Sequence, residues 1–153
     1  MDFIKSRKPE GCIFCRGSIR DERLVLCEKR GVFVMMNKFP YNTGHLLIAP
    51  LRHISSLEEL QPGERVGFFD LLEISIKIIK ETMHPEGFNI GVNIGKAAGA
   101  GVEDHIHLHV VPRWSGDTNF MTCLADTRVT PEDVAVTCEM LKPRFDKMVG
   151  EVR

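Results

Sequence analysis

Three histidines alternate with apolar residues in His105-Ile106-His107-Leu108-His109-Val110-Val111. Imidazole changes charge near neutral pH and serves as acid, base, nucleophile or metal ligand. A strand sends successive side chains to opposite faces, so His105, His107 and His109 share one face at spacings of about 7 Å while Ile106, Leu108 and Val110 enter a core. Burying three such groups without partners costs several kcal/mol, which makes packing alone a poor explanation. Two chemistries fit the pattern: a three-histidine metal site, or nucleophilic catalysis by one imidazole tuned by its neighbours. Because the first and third lie about 13 Å apart on a strand, a row with a working middle histidine fits better than one tight site. The nucleophile reading leads.

Two further groups stand near this row in sequence. Gly95 to Gly101 (GKAAGAG) is a glycine-rich loop, whose free N–H groups can cradle phosphate oxygens; Gly99 and Gly101 permit close approach. Cys12 and Cys15 form a CxxC. That spacing suits zinc, a redox pair or two buried thiols, and alone it does not choose among them. Five cysteines cannot all pair within one chain, so free thiols or metal thiolates are expected, with Cys27, Cys123 and Cys138 filling space as small apolar groups.

The elements that must position these residues follow from periodicity. Leu24–Glu28 and Val32–Asn37 read as strands around the turn Lys29-Arg30-Gly31, and His45–Ala49 as a buried strand stopped by Pro50. Pro62 opens a long helix to about Met83, with Val66, Phe69, Leu72, Ile76 and Ile79 as its expected core stripe. Phe88–Ile94 and His105–Val111 read as two more strands. A last helix is expected from Pro131, capped by Thr130 and bent or divided at Pro143. The order implies an α+β domain with an antiparallel sheet over residues 12–153, preceded by a charged arm, residues 1–11.

On these residues the chain resembles the histidine triad (HIT) superfamily of nucleotide hydrolases and nucleotidyl transferases. The match includes the triad strand, Asn37 in VMMN, Gly44-His45 in NTGHLLIAP, Asn93, the glycine-rich loop, Pro112-Arg113-Trp114 and Gly116-Asp117-Thr118-Asn119-Phe120. The continuation PRWSGDTNF is similar to the fragile-histidine-triad and diadenosine tetraphosphate phosphorylase side, and less so to nucleoside phosphoramidases. The resemblance implies a five-stranded antiparallel sheet with a long helix and a C-terminal helix, two such sheets joining edge to edge in a homodimer. It implies cleavage of dinucleoside polyphosphates at the α-phosphate through a nucleotidyl intermediate on His107. His109 would meet the phosphate or leaving group, His45 would buttress the site, Asn93 would bind phosphate oxygens and Asn37 the ribose. It also implies a structural zinc held by Cys12, Cys15, His53 and His105, with no metal in the chemical step. Nucleoside phosphoramidate hydrolysis and non-catalytic nucleotide sensing are the alternatives. Val102 stands where the related branches carry a hydroxyl, so a backbone N–H would take that phosphate contact.

Composition narrows the classes further. The 153 residues are 43% hydrophobic and carry a net charge of −1, which argues against a broad basic surface for nucleic acid. No apolar run approaches the roughly 20 residues of a membrane span, and the start offers no apolar stretch for secretion. A cytoplasmic nucleotide enzyme, without nucleic-acid or membrane partners, is the expectation.

Overall fold

The computed structural model describes residues 11–18, 20–117 and 133–151. Five strands form one antiparallel sheet: β1 (Val25–Lys29), β2 (Val32–Met36), β3 (Leu46–Pro50), β4 (Gly87–Val92) and β5 (Leu108–Arg113), in the order β1-β2-β3-β5-β4. Two helices accompany them, α1 (Pro62–Met83) and α2 (Val134–Glu151). This is the expected α+β architecture. The β1–β2 connection places Arg30 and Gly31 at φ of 52° and 76°, the left-handed pair that a tight hairpin needs to match strand twist. Insertion of β5 between β3 and β4 matters most for the site. It pairs Leu47 with His109 and Leu46 with Val110, bringing the residue before β3, His45, beside the triad.

The sheet has two unequal faces. Both helices cover one, where Leu26, Val34, Ile48 and Val110 pack with Phe68, Leu71, Ile78, Leu141 and Phe145. On the other face no helix lies among the described elements; Phe33, Met35, Leu47 and Ala49 are covered there by the N-terminal segment through Phe14. The histidines belong to this second face.

Helix α1 spans the expected residues. Pro62 occupies its first turn, Gln61 and Glu64 form a reciprocal capping box, and His84 ends it in the left-handed conformation ahead of Pro85. The buried carboxylate of Glu64 also takes two bonds from Arg52, at 2.8 and 2.7 Å. Its core stripe differs from the expected one. Phe68, Leu71, Ile74, Ser75, Ile78 and Ile79 are buried, whereas Phe69 is 74% and Val66 48% exposed. A helix this apolar offers two stripes at three-and-four spacing, and periodicity alone does not choose between them.

The other strands keep their expected places to within two residues at each end, and the larger or more telling shifts are these. Regular strand pairing begins at Leu108 rather than His105, since the Ile106 amide donates to Ile54 O at 2.7 Å outside the sheet ladder. Pro50 ends β3 from within as its last residue. The final helix begins at Val134, with the Asp133 carboxylate accepting from Ala135 N, and it runs through Pro143 without division. Thr130, Pro131 and Cys123 lie outside the described residues, while Cys27 and Cys138 are buried as expected.

Candidate active site and metal centre

His107 is 5% exposed and sits just before β5. Its Nδ1–H donates to the backbone carbonyl of His105 at 2.9 Å. A neutral imidazole has one protonated nitrogen, so this bond leaves the lone pair on Nε2. The carbonyl that sets the tautomer therefore comes from the triad itself. The ring of Phe14 lies 4.7 Å from that of His107, centroid to centroid. Burial lowers the His107 pKa, opposed by the backbone bond, which favours the neutral imidazole.

A second chain of bonds fixes His109. The amide of Tyr41 donates to His45 Nδ1 at 3.0 Å, which places the proton of that ring on Nε2. His45 Nε2–H then donates to His109 Nδ1 at 2.9 Å. By the same logic His109 carries its proton on Nε2, and that buried atom has no partner among the described residues. Burial first, then the neighbouring His107, push the His109 pKa down to about 4. Tyr41 lies nearly parallel to His109, at 9° with ring centroids 5.8 Å apart. Asn37 touches the His45 ring at 3.3 Å through its amide nitrogen and accepts from Phe39 N at 2.9 Å, so its side chain shapes the Phe39–Tyr41 turn.

His105 turns towards the N-terminal segment. Its Nε2–H donates to Pro50 O at 2.8 Å, freeing the Nδ1 lone pair, which lies 3.3 Å from Cys12 Sγ and 3.7 Å from Cys15 Sγ. His53 Nδ1 is 3.4 Å from Cys15 Sγ. All four donor atoms fall within 4.8 Å of one another. Zinc bonds of about 2.3 Å to sulfur and 2.0–2.1 Å to nitrogen put neighbouring tetrahedral donors roughly 3.4–3.8 Å apart. The three contacts of 3.3, 3.4 and 3.7 Å, together with the Pro50 carbonyl that orients His105, suit a Cys₂His₂ group. The three triad imidazoles therefore face separate partners and do not converge on one ion.

Asn93 lies just beyond β4, half-buried. Gly99 takes a φ of 83°, while Gly101, fully open around its Cα, stays out of the left-handed region. Arg113, left unassigned by sequence, pairs bidentately with Asp117 at 2.7 Å and reaches Asn89; Trp114 is half-buried beside it. Phe14 and Tyr41 carry no role in the sequence reading, and Asp117 stands there only as part of the GDTNF match. Phe14 stands inside the CxxC and Tyr41 inside a turn-rich stretch, contexts that mask an aromatic contact with distant histidines.

Holding His107 and His109 neutral has a thermodynamic consequence. Their folded pKa values lie below the ordinary histidine value, so the unfolded chain binds more protons as pH falls. The contribution of each is complete above about pH 6.5 and is lost progressively as pH falls, for His109 down to about 4. Long-range ¹H–¹⁵N spectra at pH 6 are expected to show His109 neutral with its proton on Nε2, and the melting temperature to fall between pH 7 and 5. A doubly protonated His109 at pH 6 would contradict this arrangement.

Comparison with known proteins agrees with the geometry. The chain is 39% identical over 121 residues to AP-4-A phosphorylase of Mycobacterium tuberculosis, an alignment covering 79% of this chain and 62% of that protein. It thus spans less than two thirds of that relative's length. It is 32% identical over 82 residues to the asymmetrical bis(5'-nucleosyl)-tetraphosphatase of Schizosaccharomyces pombe, covering 54% of this chain and 44% of that one. Among solved structures, a Zn-bound histidine triad family protein from Mycobacterium smegmatis superposes with a TM-score of 0.65 at 26% identity, over 84% of this chain and 87% of the other. The HIT domain family model matches residues 20–116, from Arg20 ahead of β1 to the turn beyond β5. With that match extending over the whole sheet that carries the paired histidines, the chain belongs to the HIT domain family.

Proposed function

We propose that the chain cleaves dinucleoside polyphosphates of the diadenosine tetraphosphate type at the α-phosphate, with His107 as nucleophile. The observation that carries this reading is the His107 Nδ1–H bond to the His105 carbonyl, which presents a lone pair at Nε2. In the first step Nε2 bonds to phosphorus and the bond from phosphorus to the bridging oxygen breaks, releasing the remaining polyphosphate. Water or inorganic phosphate then attacks the phosphoramidate, returns the electron pair to Nε2, and releases the nucleotide with or without an added phosphate. The names of the M. tuberculosis and S. pombe relatives support this substrate class.

His109 is assigned to the leaving group. Its Nε2–H is a pre-oriented donor of the kind that stabilises developing negative charge. With a pKa near 4 in the substrate-free chain, it carries no spare proton at neutral pH. A polyphosphate departs as an anion without one, whereas the amine of a phosphoramidate requires protonation. His45 sets the His109 tautomer and Asn37 shapes the neighbouring turn; Asn37 is assigned to the ribose, and Asn93, Gly99 and Gly101 to the phosphates.

Zinc in the Cys12, Cys15, His53 and His105 group would be structural: four protein ligands leave no open position, and the ion would supply cross-linking and fixed orientation rather than Lewis-acid chemistry. Burial pushes the Cys12 thiol up, so metal uptake would displace a proton. A homodimer joined along β4 fits the sheet order, since β4 is an outer strand with Ile90 43% exposed. No helix among the described residues is long and apolar enough to cross a membrane, in keeping with a cytoplasmic enzyme.

Three measurements check these assignments. Acid-free quenching with diadenosine tetraphosphate, followed by intact mass analysis, is expected to trap a nucleotidyl adduct lost in His107→Ala; AMP or ADP among the products separates hydrolysis from phosphorolysis. Turnover persisting in folded His107→Ala would exclude this mechanism. Elemental analysis should find about one zinc per chain, with Cys12→Ser losing it and melting earlier. Sedimentation should give a dimer that Ile90→Lys dissociates; a monomeric parent chain would remove the β4 interface.

A further inference from the structure

Beyond the triad and His45, the structure ties the site to a carboxylate on the far side of the sheet edge. The side chain of Asp117 is 11% exposed. Its described donors are Arg113 Nε and Nη2, both at 2.7 Å, the Trp114 amide at 3.1 Å, and Asn42 Nδ2 at 2.7 Å. Asn42 Nδ2 also lies 3.1 Å from Pro112 O. The backbone of Asn42 then reaches the site, because its carbonyl accepts from His45 N at 3.2 Å. The adjacent residue is Tyr41, whose amide fixes the His45 tautomer.

These contacts form a continuous path. Arg113 belongs to β5, the strand that carries His109, and its Nη1 also donates to Asn89 on β4 at 2.6 Å. Asp117 therefore clamps the loop before β3 to the end of β5, and the register between those elements sets the distance from His45 Nε2 to His109 Nδ1. We infer that Asp117 is a positioning residue for the leaving-group histidine, acting through Asn42 and the Tyr41 amide on the tautomers of His45 and His109. It touches neither reacting atom. Its charge holds one backbone amide in place, and that amide decides which nitrogen of His109 faces the substrate. Glycine at position 44 fits the same requirement: its φ is 78°, and an added Cβ would fall 2.8 Å from Met83 Sδ and 3.2 Å from Pro112 Cγ. The loop has one course past β5, and Asp117 secures it.

The consequence for turnover rests on the proposed role of His109, whereas the tautomer consequence does not. Asp117→Asn keeps the volume but pairs poorly with the Arg113 guanidinium; Asn42→Ala removes the bond from the other side. Long-range ¹H–¹⁵N spectra of the substrate-free chain are expected to show His45 and His109 each protonated on Nε2 in the parent, and a mixture of tautomers in both variants. With diadenosine tetraphosphate, kcat should fall about tenfold with KM within about twofold, and Asp117→Asn should add little in a His109→Ala background. Unchanged tautomers in either folded variant would overturn the inference, whatever the turnover. Altered tautomers in a chain that turns over no dinucleotide would sustain the clamp and refute the substrate assignment instead. A fully additive loss with His109→Ala would assign Asp117 to general stability and overturn its positioning role.

Discussion

Three polar atoms of His105, a fully buried residue, hold the site together. Nε2–H is spent on Pro50 O, which aims Nδ1 at the two CxxC thiols, while the backbone carbonyl fixes the proton of His107. Each bond constrains the next. Were Nε2 the acceptor, Nδ1 would carry the proton and neither a thiol proton nor a metal would find a lone pair there. Were the carbonyl turned away, His107 would be free to place its proton on either nitrogen. His107 and the cluster of Cys12, Cys15 and His53 thus share one residue, and the strand order that puts β3 beside β5 is what supplies Pro50 to it.

Much of this was legible in sequence because the relevant signals are local and periodic. The alternation of His105, His107 and His109 specifies one face of an extended segment whether or not each residue pairs in a ladder, so the late start of β5 left the directions of the side chains intact. Helix α1 was bounded correctly because Pro62 and Pro85 are punctuation that tertiary structure seldom overrides. Its buried face was not legible. Val66, Phe69, Leu72 and Ile76 form as good a stripe as Phe68, Leu71, Ser75 and Ile78, and the choice depends on where β1 and α2 lie. Lys29 and Arg30 pair with Asp70, rotating that side of the helix towards the β1–β2 hairpin and leaving Phe69 outward. The buried carboxylate of Glu64 shows the same limitation: an acid three residues into a helix looks solvated until Arg52 arrives from another segment.

The site follows a parallel division. Residue types at fixed spacing announced the triad and the CxxC, but tautomers depend on single backbone groups that no pattern specifies. That Tyr41 contributes an amide, and His105 a carbonyl, follows from loop conformation. Asp117 is a further case, because a carboxylate five residues beyond a strand proline reads as a turn residue until its donors converge. Asn37 combines both kinds of information: its position at the end of β2 was evident, yet its side chain is engaged by the Phe39 amide and the His45 ring.

The metal group and the second face of the sheet are best regarded as one construction. Phe33, Met35, Leu47 and Ala49 would face water without the N-terminal segment, whose principal contribution to that face is Phe14, 1% exposed. Burying one phenylalanine yields about 1.5–3 kcal/mol, little to set against the ordering of several residues at roughly 1–2 kcal/mol each. Arg20 adds to it, its guanidinium lying 4.2 Å from the Phe33 ring centroid and pairing with Glu28 at 2.9 Å and Glu22 at 3.1 Å. Glu28 is also paired with Arg16 from the segment itself. Even so, a short segment without regular structure needs a stronger tie to keep Phe14 between the rings of His105 and His107. A metal on Cys12 and Cys15 would supply it, since two ligands would fix the backbone at both flanks of Phe14, the side chain packed against the His105 and His107 rings. The spacing of the CxxC thus suits Phe14, which it brackets, as well as an ion.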